Sequence, residues 1–145
     1  MLSKTAEYAL RVVIALAQRR GEVTSASTLS ELTHVPRRYL NHVLQDLVAC
    51  GITASRSGSA GGHQLVADPA KTTLVDVLRH VSPLQRIDCC PLGLKSHTSL
   101  CPLHASLDRA YALAEESFGN MTLQQMVDSP DAELLFHAAC EGCGQ

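Results

Sequence analysis

Residues 35–62 read VPRRYLNHVLQDLVACGITASRSGSAGG and join a helical pattern to a glycine-rich one. Apolar side chains recur with the period of about 3.6 residues that marks one buried helix face, at Leu40, Val43, Leu44, Leu47 and Val48. Pro36 suits the first position of that helix, because its missing N–H would have no partner there. Gly51 suits the left-handed residue that ends a helix. A short strand, a glycine-rich tip and a second strand over residues 63–67 follow, so this stretch predicts the third helix and the wing of a winged helix-turn-helix.

The opposite face of this helix is polar. Its side chains are of the kinds that hydrogen-bond to phosphates and to base edges in DNA, and the wing adds an arginine beside small residues. We therefore expect the chain to bind double-stranded DNA. The expected contacts are Arg37, Arg38, Asn41 and His42 on the helix and Arg56, Ser57 and Gly58 on the wing.

Size and charge set the broad class of the protein. The 145 residues suffice for one domain with an appendage. No apolar run approaches the roughly 18 residues of a membrane-spanning helix, and polar residues interrupt the N-terminus too often for a signal peptide, so we expect a cytoplasmic protein. Residues 1–67 carry seven basic and four acidic side chains, whereas residues 68–145 carry five basic and ten acidic ones. The positive charge thus falls on the half that is expected to meet phosphate.

The flanking segments predict further helices. A polar residue that can act as an N-cap precedes each of them: Ser3 for a first helix through about residue 20, Ser27 for a short second helix, Thr73 for a fourth and Thr122 for a last short one. The first helix is expected to bury a single apolar stripe, which consists of Leu10, Val13, Ile14 and Ala17.

A long helix is expected from Pro102 to Phe118. Its apolar side chains would find little of a small domain's core left to pack against, so we expect the helix to pair with the same helix of a second copy. A two-fold dimer also suits the reading of palindromic DNA half-sites. The stripe consists of Leu103, Leu107, Ala110, Tyr111, Ala114 and Phe118.

The predicted fold is therefore mainly α, with a small β-wing and a long dimerisation helix. We expect a winged helix-turn-helix DNA-binding domain over residues 1–82 and a cysteine- and histidine-rich sensor loop over residues 83–100. The dimerisation helix region would cover residues 101–128, and residues 129–145 would form a C-terminal tail.

Five of the six cysteines lie beyond residue 88. In a cytosolic protein this usage favours metal or redox chemistry over structural disulfides. Cys50 stands apart near the end of the third helix and is expected to act as a small buried hydrophobe. Cys140 and Cys143 form a CxxC at the terminus without a following helix, which favours a mobile thiol pair.

In the order of its predicted elements and in several segments, the sequence resembles a known family, the BadM/Rrf-type winged helix-turn-helix transcriptional regulators of the IscR/NsrR-like group. The matching segments are LSKTAEYALRVVIALA, LSELTHVPRRYLNHVLQDLVACGI, SRSGSAGGHQLVADPAKTTLVDVLRHV and CPLHASLD, and the resemblance covers roughly residues 1–127. It implies a homodimeric regulator, usually a repressor, that reads DNA with Arg38, Asn41 and His42 and places Arg56 in the minor groove. The family often has Glu where Asn41 stands, and Asn suits adenine.

The resemblance also implies an iron–sulfur cluster held by three cysteines spaced by six residues, sometimes helped by a histidine. Cys89 and Cys101 match the outer pair and His104 matches the histidine, but the middle position is Lys95, which cannot act as the cysteine. Cys90 could complete the set. Some relatives borrow an acidic residue from the first helix of the partner, and that position is Glu7 here. Two thiolates, one imidazole and one carboxylate would hold a [2Fe–2S] cluster that responds to oxidants, nitric oxide or iron supply.

Other functions stay open at this stage. Cys90, His97, Cys101 and His104 could bind zinc, or Cys89, Cys90 and Cys101 could act as a metal-free thiol redox sensor. A protein-interaction module that kept the winged fold is a further alternative. A thiol oxidoreductase lacks the strand-CxxC-helix context that activates such cysteines. Since no hydrolytic triad or phosphate loop is present either, we expect a protein that is not an enzyme.

Overall fold

The computed structural model describes residues 2–91 and 99–132. In chain order they form α1 (Lys4–Gln18), α2 (Ala26–Thr33), α3 (Arg37–Ala49), β1 (Thr53–Arg56), β2 (Gly62–Leu65), α4 (Leu74–Val81), α5 (Pro102–Gly119) and α6 (Leu123–Val127). The two strands pair antiparallel. The architecture is mainly helical with a small sheet, which confirms the predicted fold class. Within these two ranges, no helix has the length and apolar character needed to cross a membrane.

Helix α1 lies at the centre of the core. Ser3 caps it, as predicted, by accepting a hydrogen bond from the Ala6 N–H at 3.1 Å. Helices α2, α3, α4 and α6 all contact it. The single predicted stripe is too narrow: Leu10 is only half-buried, whereas every side chain from Val12 to Ala17 is buried, because other helices cover α1 on several sides.

The start of α2 differs from the prediction. Ser25, not Ser27, is the N-cap, and it accepts a hydrogen bond from the Thr28 N–H at 3.1 Å. The reason lies one residue earlier, because Thr24 exchanges two backbone hydrogen bonds of 2.8 Å with His63 of the wing. This bridge keeps the chain extended through residue 24, and the helix begins after the next side chain that can cap it.

The turn between α2 and α3 sets the direction of α3. His34 ends α2 in the left-handed conformation, with φ 55°, and the Ser30 hydroxyl donates a hydrogen bond to the Val35 carbonyl at 2.7 Å. Pro36 is the N-cap of α3 rather than its first residue. The buried face of α3 is the predicted one except for Val48, which is only half-buried.

Strand β2 is paired along both of its edges. Ser55 of β1 pairs with His63 of β2, and Thr24 bonds to the other edge of β2. Gly62 packs so closely on this bridge that a Cβ there would collide with the Thr24 carbonyl. Strand β2 ends two residues earlier than predicted, because the N–H groups of residues 66 and 67 both donate to the Ile52 carbonyl.

Helices α4 and α6 start side by side. Thr73 and Thr122 cap them as predicted, and each forms a capping box, with Asp76 and Gln125 respectively. The hydrogen bond from the Thr73 backbone N–H lowers the pKa of Asp76. An isolated bridge joins the two caps, so α6 folds back and buries Leu123 in the core.

Helix α5 has no fully buried side chain. Its predicted apolar stripe divides in two. Tyr111 and Phe118 are half-buried, and Phe118 packs against the core. Leu103 and Leu107, by contrast, are 65% and 42% exposed, and Ala110 is exposed beside them. We call Leu103, Leu107 and Ala110 the α5 strip.

Candidate nucleic-acid interface and cysteine–histidine cluster

The polar face of α3 is accessible to a ligand. Four buried leucine and valine side chains hold the other face of this helix in the core. The helical candidates for DNA contact are all exposed, as is Gln45 one turn beyond Asn41: Arg37, Arg38, Asn41, His42 and Gln45. The fold therefore presents to solvent the side chains that the sequence selected.

An aromatic contact supports the first turn of α3. The Arg38 guanidinium lies 4.5 Å from the centre of the Tyr39 ring and donates a hydrogen bond to the Tyr39 hydroxyl at 2.8 Å. The Tyr39 ring in turn lies 5.7 Å from the ring of Tyr8 on α1. Tyr39 was not among the predicted site residues, yet it fixes the position from which Arg38 faces solvent.

A second contact orients His42. Its Nε2 lies 3.9 Å from a carboxylate oxygen of Asp46, one turn further along α3. Both side chains are partly exposed, so the pair is weak. It nevertheless places the imidazole along the outer surface of the helix.

A groove of about 460 Å³ separates α3 from the wing. Asn41 and Gln45 line one wall, Ser55 and His63 line the other, and the floor consists of Leu44, Val48 and Ala49. Among the described residues, no carboxylate lines the groove. The wing residues Arg56, Ser57 and Gly58 lie exposed beyond it.

His63 is a residue whose position the sequence did not reveal, since it read as an ordinary polar side chain. Among the described residues, its Nδ1 atom is buried without a hydrogen-bond partner. Burial lowers the pKa of the imidazole, because it disfavours the charged form. A neutral His63 offers one N–H donor. Its place opposite Ser55 in the hairpin could have indicated that both side chains line the groove, because partners in a two-stranded sheet share a face.

The cysteines and histidine of the second half meet at the start of α5. Cys101 is the N-cap of this helix, and its Sγ lies 3.1 Å from Nδ1 of His104. Cys90 Sγ lies 3.7 Å from the same nitrogen. The ligand atoms of these three half-buried residues all lie within 4.8 Å of one another. We call Cys90, Cys101 and His104 the Cys–His cluster.

The cluster fits a metal on chemical grounds. Thiolate and imidazole are the ligands of zinc sites and of iron–sulfur centres with mixed ligation. Three protein ligands leave a four-coordinate zinc with one position to fill, and a [2Fe–2S] centre also needs a fourth protein ligand.

Two other predicted ligands, Cys89 and Glu7, are not members of the cluster. Cys89 is exposed and is not part of it, although it directly precedes Cys90. Glu7 lies on α1, where it accepts a hydrogen bond from Arg11 at 2.8 Å and lies 3.7 Å from Lys4. Lys95, His97 and the terminal cysteines Cys140 and Cys143 lie outside the described residues. Cys50 packs, partly buried, against the core, as expected for a small hydrophobe.

Comparison with known proteins gives consistent matches over nearly the whole chain. The Rrf2 family, described as an iron-dependent transcriptional regulator, matches residues 2–129. An rrf2-like HTH-type transcriptional regulator of Rhodobacter capsulatus is 30% identical over 148 aligned residues, which cover 93% of this chain and 99% of that protein. An HTH-type transcriptional regulator of Aquifex aeolicus is 22% identical, over 93% of this chain and 96% of its own.

Solved structures share the fold. CymR, the global cysteine regulator of B. subtilis, superposes with a TM-score of 0.72 at 22% identity, over 88% of this chain and 95% of that one. T. potens IscR superposes with a TM-score of 0.73 at 21% identity, over 97% of this chain and 93% of its own. CymR and IscR therefore share this architecture with the chain.

Proposed function

The chain belongs to the Rrf2 family of transcriptional regulators, and from this premise we propose that it is a homodimeric repressor whose affinity for double-stranded DNA is set at the Cys–His cluster. Members of this family regulate transcription and are not enzymes. The observation that carries the proposal is the exposed polar face of α3 beside the wing. We place the protein in the cytoplasm, where it would meet DNA.

The proposed mode of DNA binding follows from the shape of this surface. Helix α3 enters the major groove, which is wide enough for a helix, and Arg56 on the wing enters the adjacent minor groove, where narrow A·T-rich segments attract arginine. Asn41 and His42 face the bases. The DNA backbone that separates the major groove from the minor groove would then follow the protein groove between α3 and the wing. In that protein groove, Gln45, Ser55 and His63 supply neutral donors to the phosphates.

The α5 strip supports the dimer. Leu103, Leu107 and Ala110 follow one another at intervals of four and three residues, which is the spacing of a coiled-coil seam. In a single chain these side chains are exposed. Pairing two such helices covers the apolar surface, and a two-fold axis presents two α3 helices to successive half-sites.

The cluster is the proposed sensor. Cys90, Cys101 and His104 would hold a metal group, with a fourth ligand from Cys89 or from Glu7 of the partner subunit. A [2Fe–2S] cluster bound there supplies a group that oxidants or nitric oxide can alter. Filling the site would add a metal-mediated link between Cys90 and the start of α5, and loss of the metal group would remove that link.

The geometry also favours a second candidate sensor. The Cys90 and Cys101 sulfurs lie within 4.8 Å of each other, so a small movement would bring them to disulfide distance. Metal-free protein would then respond to oxidants through this pair. Zinc bound by the same three residues is the third alternative. An iron assay and an absorption spectrum of protein purified without oxygen distinguish the iron–sulfur cluster, the metal-free thiol pair and zinc.

Arg56→Ala tests the proposed wing contact. We expect the variant to bind a duplex selected by the protein about tenfold more weakly, because a minor-groove arginine combines phosphate attraction with groove recognition. Fluorescence anisotropy at two salt concentrations measures the effect. Arg109→Ala is the matched control, since Arg109 is an exposed arginine on α5 away from α3. Equal affinity of the Arg56 variant and the wild type rejects the placement of the wing in the minor groove.

The same assay tests DNA binding itself. If the wild type binds DNA neither in the oxidised nor in the anaerobic state, the proposal that the protein binds DNA is wrong.

A further inference from the structure

One carboxylate holds the segment that carries Cys90. Asp108 on α5 accepts two hydrogen bonds from Arg86, from Nε and Nη2, each at 2.7 Å. It also accepts the Ile87 backbone N–H at 2.9 Å. The Asp108 side chain is only 18% exposed. These hydrogen bonds, with that from Arg86 the strongest, lower the pKa of Asp108 to about 2, so the carboxylate is ionised at neutral pH.

Asp108 shares a helix face with the Cys–His cluster. It follows His104 by four residues and Cys101 by seven, the spacings that align side chains along one side of a helix. Arg86 precedes Cys90 by four residues. When Asp108 binds Arg86 and Ile87, it therefore lays residues 86–90 along the first turns of α5. Cys90 Sγ then lies 3.7 Å from Nδ1 of His104.

The irregular conformation of residues 83–91 makes such a restraint necessary. No helix or strand includes these residues, and a segment without regular backbone pairing must be ordered by other contacts. A bidentate arginine–carboxylate pair fixes direction as well as distance. The backbone donor at Ile87 adds a third point of attachment to the same side chain.

We propose that Asp108 is a positioning residue, which through Arg86 and Ile87 delivers the Cys90 thiolate to the metal group that would bind at Cys101 and His104. The inference rests on the proposed function of the cluster. Asp108 does not touch the metal. It brings Cys90, rather than its neighbour Cys89, to the side of His104.

Glu115 provides a matched control on the same helix. It contacts Arg86 as well, at 4.0 Å, but its other contact is Arg79 of α4 at 3.8 Å. Among the residues that the structure describes, no hydrogen bond or ion pair joins Glu115 to residues 87–89, and two long, partly exposed ion pairs contribute little. Removing the charge of Glu115 should leave Cys90 in place, whereas removing that of Asp108 should not.

The experiment uses the full-length, reduced, metal-free protein and Co²⁺ as the probe. The intensity of the cobalt–thiolate absorption bands reports how many cysteines bind, and titration gives the affinity. We expect Asp108→Asn to bind Co²⁺ about ten- to a hundredfold more weakly than the wild type, as is typical when an outer-shell partner is lost. Its bands should match those of Cys90→Ser. Glu115→Gln should keep wild-type bands and affinity.

A second variant and a second readout separate positioning from folding. Arg86→Gln removes the same clamp from the other side and should give the same cobalt spectrum, while helical circular dichroism stays unchanged. In metal-free protein, the rate at which iodoacetamide alkylates Cys90 should rise at least about tenfold in both variants, because a released loop exposes the thiol. The Cys50 rate serves as the internal reference.

The two proposals fail in different ways. If Asp108→Asn and Arg86→Gln keep wild-type cobalt bands and wild-type alkylation of Cys90, the positioning role is wrong. If wild-type protein shows no cobalt–thiolate bands, the metal site of the proposed function is wrong. The alkylation rates then still decide whether Asp108 holds Cys90 in place.

Discussion

Replacing both Leu103 and Leu107 with glutamate is expected to make the protein monomeric and to weaken its binding to a palindromic duplex by at least about a hundredfold. The two leucines are exposed on α5 and belong to the proposed seam. Glutamates that face each other across a two-fold axis repel, and dimerisation would bury their carboxylates in an apolar interface. A monomer binds one half-site and loses the effective concentration that linkage gives the second.

Sedimentation measures whether the variant is a monomer, and fluorescence anisotropy measures its affinity for the duplex. Arg109→Glu, combined with no other change, is the control for charge, because it also alters net charge by two on the same helix but lies off the α5 strip. We expect the control to remain dimeric. A dimeric Leu103→Glu, Leu107→Glu protein with native DNA affinity would show that α5 does not form the subunit interface.

Asn41→Ala is expected to reduce affinity for the selected duplex between about tenfold and a hundredfold and to relax base preference at one position in each half-site. A bidentate contact to a base contributes about 1–3 kcal/mol of discrimination. Asn41 is exposed and makes no side-chain hydrogen bond within the part of the chain that the structure describes, so its loss should leave stability nearly unchanged.

The comparison that matters is between duplexes that differ at a single base pair. Wild-type protein should distinguish them, and Asn41→Ala should bind them almost equally. Asn120→Ala removes the same amide at the far end of α5 and should behave as wild type. An Asn41→Ala protein that retains full base preference would mean that α3 reads DNA through other side chains.

The local elements could be predicted because their signals lie within a few residues. The buried face of α3, the glycine that ends it and the caps at Ser3 and Thr73 all follow from helix period and capping chemistry. The start of α2 could not be predicted in the same way. Its position depends on the bridge between Thr24 and His63, residues that lie far apart in sequence.

Which of the two adjacent cysteines belongs to the Cys–His cluster also depends on contacts between residues that are distant in sequence. The family resemblance implied Cys89 as the partner of Cys101, while the structure brings Cys90 to His104. Adjacent residues in an irregular segment cannot be distinguished by period. The direction of this segment is set by Asp108, which lies 18 residues after Cys90 in the sequence.

The groove beside the wing shows the same limit. Asn41 was identified from its place on α3, but His63 carries no distinguishing pattern in the sequence. Its side chain lines the groove between the wing and α3, and its Nδ1 is buried without a hydrogen-bond partner among the described residues. The role that we propose for His63 at the DNA backbone therefore depends on the folded chain and not on a sequence pattern.

The most direct test is the affinity of one protein preparation for one duplex in two states of the cluster. Protein purified without oxygen should be measured by fluorescence anisotropy before and after a chelator removes its metal, with Cys101→Ser as the form that cannot be loaded. We expect the two wild-type affinities to differ at least about tenfold, and the Cys101→Ser variant to match the unloaded protein. If loaded, unloaded and Cys101→Ser protein all bind with equal affinity, the Cys–His cluster does not control DNA binding.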